Sequence, residues 1–363
     1  MEAKSYFCCV FLLHHASFMN IVRTLSRSLC FSALLLSSVC SFAQDDHFYL
    51  GADISGTTAL EARGDKLYNA KGELRENTAL MHELGLDAIR LRVWVNPEGG
   101  FCSPADVLDM AKRAKYYGMA LMIDFHYSDW WADPGHSPMP ALWQYYSLGE
   151  VEHALALHTE QTLSLLKDNN IDVRWVQVGN ETTHGFVWPM AKAEDDMDAY
   201  ARLTKAGYEA VKRVFPQAQV IIHLDAACDP VRYDFIFDAL RRRGVRWDLI
   251  GLSLYPYWDQ RAGLTASDQE SIDKAVANMR RLAEKYGTDV MVVETGVLVE
   301  RAKEQKKLMA DIIEAARDRT GGHCHGVFYW APELEDGSYK LGAFKNGRPT
   351  EIMEAFTEAA RSR

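Results

Sequence analysis

The sequence predicts an α/β fold, a single (β/α)8 TIM barrel, and three observations support this prediction. Short apolar runs rich in Val, Ile, Leu and Tyr alternate with longer amphipathic stretches, a pattern typical of βα units. Eight such runs recur about every 39 residues, which is enough for one strand, one helix and their loops. No Pro/Ser-rich linker, charge block or low-complexity segment interrupts the chain after Asp46, so one domain is expected rather than several.

Each of the eight runs is predicted to be a strand of the barrel. In chain order they cover residues 48–56, 88–95, 120–127, 173–181, 220–227, 247–256, 289–296 and 326–332. Between them, residues 105–117, 271–286 and 303–319 carry apolar side chains at helical spacing with charges on the opposite face. A closed barrel is favoured over an open doubly wound sheet because the units continue without a break.

The composition is that of an ordinary globular protein. Of the 363 residues, 48% are hydrophobic and 25% are charged, and the formal net charge is −10. This acidic balance argues against nucleic acid or an anionic membrane surface as the natural partner, because both are bound by clusters of Lys and Arg that the sequence does not contain.

The N-terminal segment, residues 1–43, is predicted to be a secretory signal with an upstream extension. From Met19 the chain has a short basic region, then an apolar run over residues 29–39, then small residues at positions −3 and −1 of a cleavage site after Ala43. Cleavage would leave residues 44–363 as the (β/α)8 domain. We therefore expect the protein to be secreted, or to be held at the cell surface or in the periplasm.

Cys40 allows an alternative, in which the segment is a lipoprotein signal and this cysteine carries a lipid anchor. In either case no membrane span is expected, because the apolar run is too short to cross a bilayer. Removal of the signal leaves Cys102, Cys228 and Cys324, so at most one disulfide can form and the fold does not depend on a disulfide framework.

Two glutamates follow runs that should be buried. Glu181 ends the fourth run directly after Asn180, and Glu294 lies near the end of the seventh. In a barrel both would stand at the carboxyl ends of strands, where barrel enzymes form their active sites. Such a pair suits glycoside hydrolysis, in which a retaining enzyme needs one protonated acid and one anionic nucleophile. Glu181 and Glu294 are therefore the predicted catalytic residues, and a structural ion pair with an arginine is the alternative for Glu294.

Other polar and aromatic side chains are predicted to collect at the same end of the barrel and to bind substrate. They are Asp53, Arg90, Trp94, His126, Asp129, Trp130, Asn180, His223, Tyr255, Trp258 and Trp330. Large rings exposed at strand ends are costly unless a ligand covers them, and sugars present apolar C–H faces to such rings. Arg90 is expected to hold a carboxylate in its anionic form; Arg92 shares its strand face, and a structural salt bridge explains Arg92 equally well.

The histidines His126, His184 and His223 also allow a metal-dependent barrel hydrolase. This alternative is disfavoured, because no His-x-His motif follows the first strand and no lysine stands at the end of the fourth. The sequence thus predicts no metal ligands. His126 and His223 are interpreted as hydrogen-bond donors to sugar hydroxyls or to the glutamates.

Five segments carry a resemblance to a known family. They are residues 51–55 (Gly-Ala-Asp-Ile-Ser), 90–97 (Arg-Leu-Arg-Val-Trp-Val-Asn-Pro), 124–135 (Asp-Phe-His-Tyr-Ser-Asp-Trp-Trp-Ala-Asp-Pro-Gly), 177–181 (Gln-Val-Gly-Asn-Glu) and 251–258 (Gly-Leu-Ser-Leu-Tyr-Pro-Tyr-Trp). Asn-Glu on the fourth strand and a glutamate ending the seventh resemble the clan of retaining (β/α)8 glycosidases. Together the segments are similar to the endo-β-1,4-galactanases of glycoside hydrolase family 53.

This resemblance implies endohydrolysis of β-1,4-galactan in pectic galactan and arabinogalactan, with Glu181 as the acid/base and Glu294 as the nucleophile. It places a supporting shell around them, formed by Arg90, Asn180, Tyr255 and Trp330. A polysaccharide partner and a monomeric protein are expected, without a cofactor. The segment of residues 331–349 is short, whereas many bacterial relatives carry a long calcium-binding loop there. A structural calcium ion is therefore an alternative that the short segment disfavours.

Two alternatives to a galactanase stay open. A related barrel endo-glycanase would cut mannan, xylan or cellulose, because Asn-Glu alone is shared by such enzymes. A non-catalytic glycan-binding barrel would keep the fold and the aromatic residues without the chemistry. Two facing glutamates argue against this second alternative, since a pure binder has no use for their mutual repulsion.

Overall fold

The computed structural model describes residues 47–335, 337 and 339–362, and these residues form a closed barrel of eight parallel strands. The strands are β1 (Tyr49–Asp53), β2 (Ala88–Val93), β3 (Ala120–Phe125), β4 (Trp175–Val178), β5 (Gln219–Leu224), β6 (Leu249–Leu254), β7 (Val290–Thr295) and β8 (Cys324–Trp330). Each strand pairs with the next along the chain, and β8 pairs with β1 to close the ring. The predicted (β/α)8 barrel is confirmed.

Helices connect the strands on the outside of the barrel. They are α1 (Thr57–Arg63), α2 (Asn77–Glu83), α3 (Pro104–Tyr116), α4 (Leu148–Asp168), α5 (Met197–Val214), α6 (Pro230–Arg242), α7 (Pro256–Arg261), α8 (Asp268–Tyr286), α9 (Ala302–Asp318) and α10 (Glu351–Arg361). The three predicted helices correspond to α3, α8 and α9 and differ from them only at the ends.

Short elements decorate the loops. Single 3-10 turns cover Glu98–Gly100, Ala141–Trp143, Thr182–His184 and Val299–Arg301. Two-residue antiparallel ladders join Leu67–Tyr68 to Leu74–Arg75, Gly185–Phe186 to Ala191–Lys192, and Phe344–Lys345 to Arg348–Pro349.

Local sequence signals explain where the long helices begin. Ser103 caps α3 by accepting a hydrogen bond from the Asp106 N–H, and Pro104 follows at the first helical position. Ser147 and Glu150 form a capping box at the start of α4. The strand-to-helix loops are thus fixed at their helical ends, which holds the strand ends in place.

The fourth strand ends earlier than predicted. β4 stops at Val178, and Gly179 and Glu181 then adopt left-handed backbone conformations with φ of 89° and 43°. Glycine tolerates this region because it lacks a Cβ, whereas for a glutamate it is costly and must be held by the surroundings. The predicted strand over residues 173–181 is therefore too long, since the chain turns at Gly179 and presents Glu181 beyond the strand end.

The core has two parts. A large apolar cluster lies between the strands and the surrounding helices. A smaller one fills the amino-terminal half of the barrel interior and consists of Ala88, Met122, Trp175, Ile221, Leu249, Met291, Val293 and Phe328. Phe328 comes so close to the β1 backbone that a Cβ on Gly51 would lie 2.3 Å from its ring, so glycine is required there.

The predictions for the N-terminal segment lie outside the described residues. These are the signal and upstream extension over residues 1–43 and the lipid anchor at Cys40. Within the described part of the chain, Cys102, Cys228 and Cys324 are all buried and free, so no disulfide joins them. Among the helices of that same part, none has the length and apolar character needed to cross a membrane.

Candidate active site

A cleft of about 470 Å³ opens at the carboxyl ends of the barrel strands. Several residues that follow β3 to β8 line it, and both predicted catalytic glutamates are among them. The lining residues used below are His126, Trp131, Asn180, Glu181, Asp225, Arg232, Ser253, Tyr255, Trp258, Glu294, Trp330 and Tyr339. A concave surface with convergent polar groups and aromatic rings is typical of a small-molecule or glycan site.

Glu181 reaches the cleft from the turn after β4. Its Oε1 accepts a hydrogen bond of 2.5 Å from the Ser253 hydroxyl at the end of β6. Burial raises the pKa of Glu181 well above its ordinary value, and the negative charges of Glu294 and Asp225 raise it further. The site therefore favours the protonated form of Glu181.

Glu294 reaches the same cleft because β7 contains a bulge. Leu252 pairs with Val292 but Ser253 pairs with Glu294, so Val293 is an extra residue and both Val293 and Glu294 face the barrel interior. Bulges of this kind redirect side chains next to active sites. The sequence alternation alone would have placed these two neighbours on opposite faces.

The environment of Glu294 differs from that of Glu181. Glu294 Oε1 contacts the Arg90 guanidinium at 2.9 Å, and Oε2 accepts a hydrogen bond of 3.2 Å from the Tyr255 hydroxyl. Burial raises the pKa of Glu294 to about 7, and the Arg90 charge acts against this rise. A proton shared by the two carboxyl groups therefore belongs on Glu181, because the arginine stabilises the charge of Glu294.

Arg90 is the centre of the polar layer below the cleft. It is fully buried and donates to Asp53 at 2.8 Å, to Asp124 at 2.9 Å and to Asn180 at 2.8 Å. Burial opposes its charge, but the carboxylates of Asp124, Glu294 and Asp53 outweigh burial and raise the pKa of Arg90. In return, Arg90 and His126 lower the pKa of Asp124 to about 2 against the effect of its burial.

Three residues predicted to bind substrate lie beneath the cleft instead. Asp53, Arg90 and His223 are each no more than 1% exposed. The Asp53 carboxylate accepts hydrogen bonds from Arg90 and from Ser55, and both ring nitrogens of His223 face protein groups. The polar atoms of these three residues are occupied by protein partners in the layer beneath the cleft, and contact of these residues with a sugar stays a prediction.

Two further residues predicted to bind substrate, Trp94 and Asp129, are also engaged by protein groups. Trp94 is 4% exposed, because Trp130 covers it with a ring-to-ring distance of 5.0 Å. Asp129 accepts hydrogen bonds from the backbone N–H groups of Asn96 and Ala141, which ties two loops together. Trp94 thus supports the exposed Trp130, and Asp129 fixes the loop that carries it.

The remaining predicted residues lie where a substrate could reach them. Trp258 and Trp130 are about half exposed, and Tyr255 and Trp330 line the cleft. Asn180 also lines it, although its Nδ2 donates to the Ala132 carbonyl. The structure therefore brings Glu181, Glu294 and these aromatic rings together at one end of the barrel.

His126 lines the cleft with both ring nitrogens engaged. Its Nδ1 accepts from the Ala132 N–H at 3.0 Å, so the proton is on Nε2, which lies 3.0 Å from Asp124. Burial lowers the pKa of His126 despite this carboxylate. His184 pairs with Glu194, and within the described residues no group of three or more His, Cys, Asp or Glu side chains could hold a metal ion.

The segment after β8 also bears on metal binding. Glu335 is an acidic residue of this segment, and its two carboxylate oxygens accept hydrogen bonds from the N–H groups of Asn346 and Gly347 at 2.6 and 2.8 Å. Glu333 is 3% exposed and faces the interior. The Glu335 carboxylate is thus hydrogen-bonded within the protein, and the Glu333 carboxyl group is buried.

Some cleft residues were missed from the predicted site. Ser253 lies two residues before the predicted Tyr255, and the alternation of β6 could have indicated it. Trp131 packs against Trp330 at 5.5 Å, and Trp330 packs against Tyr339 at 4.8 Å. Asp225 and Arg232 form an ion pair beside Glu181. Tyr339 comes from an irregular loop, where no periodic signal exists.

Comparison with known proteins agrees with the fold and indicates the family. The sequence profile of glycosyl hydrolase family 53 matches residues 49–361. An endo-beta-1,4-galactanase of Bacillus subtilis is 31% identical over 315 residues, which cover 78% of this chain and 70% of that protein.

Solved structures lead to the same family. The Ignisphaera aggregans GH53 catalytic domain has a TM-score of 0.77 at 29% identity and covers 87% of this chain and 97% of its own. A structure of fungal beta-1,4-galactanases has a TM-score of 0.77 at 25% identity, covering 85% of this chain and 99% of the other. Since the family profile spans nearly all of the described residues, the chain belongs to glycosyl hydrolase family 53.

Proposed function

We propose that the protein is a secreted, retaining endo-β-1,4-galactanase that hydrolyses internal β-1,4-galactosidic bonds of pectic galactan and arabinogalactan. The observation that carries this proposal is the asymmetry of the two cleft carboxyl groups. Glu181 is held by a neutral serine hydroxyl, whereas Glu294 is held by a buried arginine. One carboxyl group is thereby suited to carry a proton and the other to carry a negative charge.

In a double displacement, each of the two glutamates has its own role. Glu181 protonates the glycosidic oxygen as its bond to the anomeric carbon breaks, and Glu294 attacks that carbon to form a galactosyl-enzyme. Glu181, now ionised, then takes a proton from water, and the water oxygen displaces Glu294 from the anomeric carbon. Tyr255 donates to Glu294 and orients the nucleophile for this attack.

The substrate assignment rests on the relatives and on the aromatic rings. The named Bacillus subtilis and fungal proteins are β-1,4-galactanases, and this chain shares their family and fold. Trp131, Trp330 and Trp258 supply rings on which the apolar faces of galactose units can stack. The cleft is open at the surface, which suits a chain cut at internal bonds.

The test is product analysis on potato-type galactan. Galactooligosaccharides of several lengths should appear early, with the β-anomer formed first in a proton NMR time course, because double displacement retains configuration. Mannan, xylan and cellulose should give no comparable products. Cleavage of one of those polysaccharides at a higher kcat/KM than galactan would contradict the substrate assignment, and an initial α-anomer would contradict retention.

A variant of Glu294 tests its role as the nucleophile. Glu294→Gln should lower kcat by several orders of magnitude with the fold intact, because the nucleophile is lost. Near-wild-type turnover of this variant would contradict its role. Binding of galactan by the wild-type protein without release of reducing ends would favour the non-catalytic alternative.

Secretion, oligomeric state and cofactor independence are part of the same proposal. Removal of residues 1–43 predicts Gln44 as the first residue of the mature protein, which N-terminal sequencing of the exported form would check, and a lipid on Cys40 would contradict it. Light scattering should give a monomer. Activity should be unchanged after dialysis against a chelator, because neither catalytic step uses a metal ion; loss of activity that calcium restores would contradict this.

A further inference from the structure

Hydrogen bonds below the cleft form a chain that starts at Arg90 and has a single direction. A guanidinium has no acceptor atom, so Arg90 Nε–H donates to Gln177 Oε1, at 2.7 Å. This fixes the Gln177 amide, whose Nε2 lies 3.0 Å from His223 Nδ1. The backbone N–H of Glu181 also points at Nδ1, at 3.3 Å. Two N–H donors at one ring nitrogen require that nitrogen to be the unprotonated acceptor.

One neighbour of His223 would favour the opposite assignment. Asn180 Oδ1 lies 3.0 Å from Nδ1, but it already accepts a hydrogen bond of 2.8 Å from Arg90. A proton on Nδ1 would leave the Gln177 and Glu181 donors facing a third donor. Burial lowers the pKa of His223 well below its ordinary value, so the ring is neutral and carries one proton, which belongs on Nε2.

Ser253 transmits this direction to Glu181. His223 Nε2 lies 2.8 Å from Ser253 Oγ and donates to it. The serine hydroxyl then donates to Glu181 Oε1, at 2.5 Å, which is its other side-chain contact in the part of the chain that the structure describes. Oε1 acts as an acceptor, and a carboxyl group whose Oε1 accepts from such a donor carries its own proton on Oε2.

We propose that Ser253 is a positioning residue that keeps Oε1 of Glu181 as an acceptor, so that Oε2 carries the proton given to the leaving group. This inference rests on the proposed function, in which Glu181 is the acid/base. In the first step the Oε2 proton passes to the glycosidic oxygen as that oxygen leaves the anomeric carbon, and Glu294 forms its bond there. In the second step a water proton returns to Oε2. Ser253 keeps its own proton throughout.

The reversed chain would have the opposite consequence. With the proton on Nδ1 of His223, the Ser253 hydroxyl would donate to Nε2, and the carboxyl proton of Glu181 would be drawn to Oε1 to donate to Ser253. That proton would be held in the protein interior and away from a glycosidic oxygen. The tautomer of His223 therefore decides between the two arrangements.

The first experiment measures that tautomer in the wild-type protein. The full chain is labelled with 15N-histidine, and the His223 signals are assigned by their absence from His223→Gln. At pH 7, correlations of the ring nitrogens should show a protonated Nε2 and an unprotonated Nδ1. A protonated Nδ1 would overturn the proposal. This readout does not depend on activity, so it is separate from the outcome for the proposed function.

The second experiment tests the role of Ser253 in proton delivery. Ser253→Ala should lower kcat/KM on galactan roughly tenfold to hundredfold, because a misplaced Glu181 proton loses part of the rate enhancement that general acid catalysis supplies. On a dinitrophenyl β-galactobioside, whose leaving group needs no proton, kcat/KM should change less than about threefold. Ser253→Thr, which restores a hydroxyl, should recover most of the galactan activity.

The matched control is Ser137→Ala. The Ser137 hydroxyl is also buried, and within the described residues it has no hydrogen-bond partner. Its loss should therefore leave kcat/KM on both substrates unchanged. Equal losses on galactan and on the aryl substrate in Ser253→Ala would show a merely structural role and overturn the proposal. A wild-type protein inactive on both substrates would overturn the proposed function. The tautomer of His223 would still decide the direction of the hydrogen bonds from Arg90 to Glu181.

Discussion

The barrel interior has two layers that differ in kind, although the same strands build both. The lower layer, toward the amino ends of β2 to β5, is apolar and contains Ala88, Met122, Trp175 and Ile221. Two residues further along each strand lies the upper layer, which is polar and contains Arg90, Asp124, Gln177 and His223. Since strand side chains alternate, two residues are a single step on the same face.

Along the same strands, the lower layer serves stability and the upper layer serves function. The lower layer needs only shape and volume, because apolar packing is not directional. The upper layer takes charges and amides out of water, which is costly unless each group is paired. Arg90 of the upper layer contacts the Glu294 carboxylate, and His223 of the same layer accepts a hydrogen bond from the Glu181 backbone N–H. Substitutions in the two layers should therefore have different consequences.

The largest expected effect comes from breaking the upper layer at its centre. Arg90→Met should remove the positive charge that faces Asp53, Asp124 and Glu294, leaving these buried carboxylates without their cationic partner. We expect the free energy of unfolding to fall by about 3–5 kcal/mol. We also expect kcat/KM on galactan to fall by at least about a hundredfold. Urea denaturation and initial rates measure the two losses.

Arg242→Met is the control for this prediction, because Arg242 is exposed on the outer surface at the end of α6. It should leave both quantities near the wild-type values. An Arg90→Met protein with wild-type stability would show that the acidic groups around it are not charged, and the account of the upper layer would be wrong.

A substitution in the lower layer should cost stability alone. Trp175 is fully buried at the start of β4, and Trp175→Ala would leave a cavity in the apolar cluster. The expected loss is about 3–5 kcal/mol of unfolding free energy. Below the lowered melting temperature, kcat/KM should stay within a few fold of wild type. A loss of activity as large as that of Arg90→Met would contradict the separation of the two layers.

Sequence reasoning predicted the barrel and the positions of its strands better than the geometry of the upper layer. Apolar alternation and repeat spacing suffice for a barrel, and an apolar run that stops on a glutamate indicates Glu181 and Glu294. The burial of Arg90 and His223 was not predictable, since it depends on partners that lie on other strands. The bulge at Val293 and the left-handed turn at Glu181 arise from tertiary contacts that override local alternation.

The last expected effect is a change in the pH dependence of stability, and it concerns a carboxyl group beside the upper layer that lacks full pairing. Glu333 is 3% exposed, and among the described residues its Oε2 has no hydrogen-bond partner. Burial raises the pKa of Glu333 to about 8, with a further rise from the Asp53 charge, while Asn77 and Arg92 act in the other direction. Glu333 is therefore protonated in the folded protein at neutral pH.

The sign of the resulting pH dependence follows from this raised pKa. In the unfolded chain the Glu333 pKa returns to its ordinary 4.5, so the folded state binds the proton more tightly than the unfolded state between 4.5 and about 8. Its contribution to stability is complete below pH 4.5 and is lost as the pH rises through 8, at up to about 1.4 kcal/mol per pH unit. Glu333→Gln is neutral at every pH. In this variant the urea-derived free energy of unfolding should fall less steeply with pH between pH 5 and 8, by up to that amount per pH unit. The exposed Glu98→Gln should keep the wild-type slope, and an unchanged slope in Glu333→Gln would show that this carboxyl group is already ionised in the folded protein.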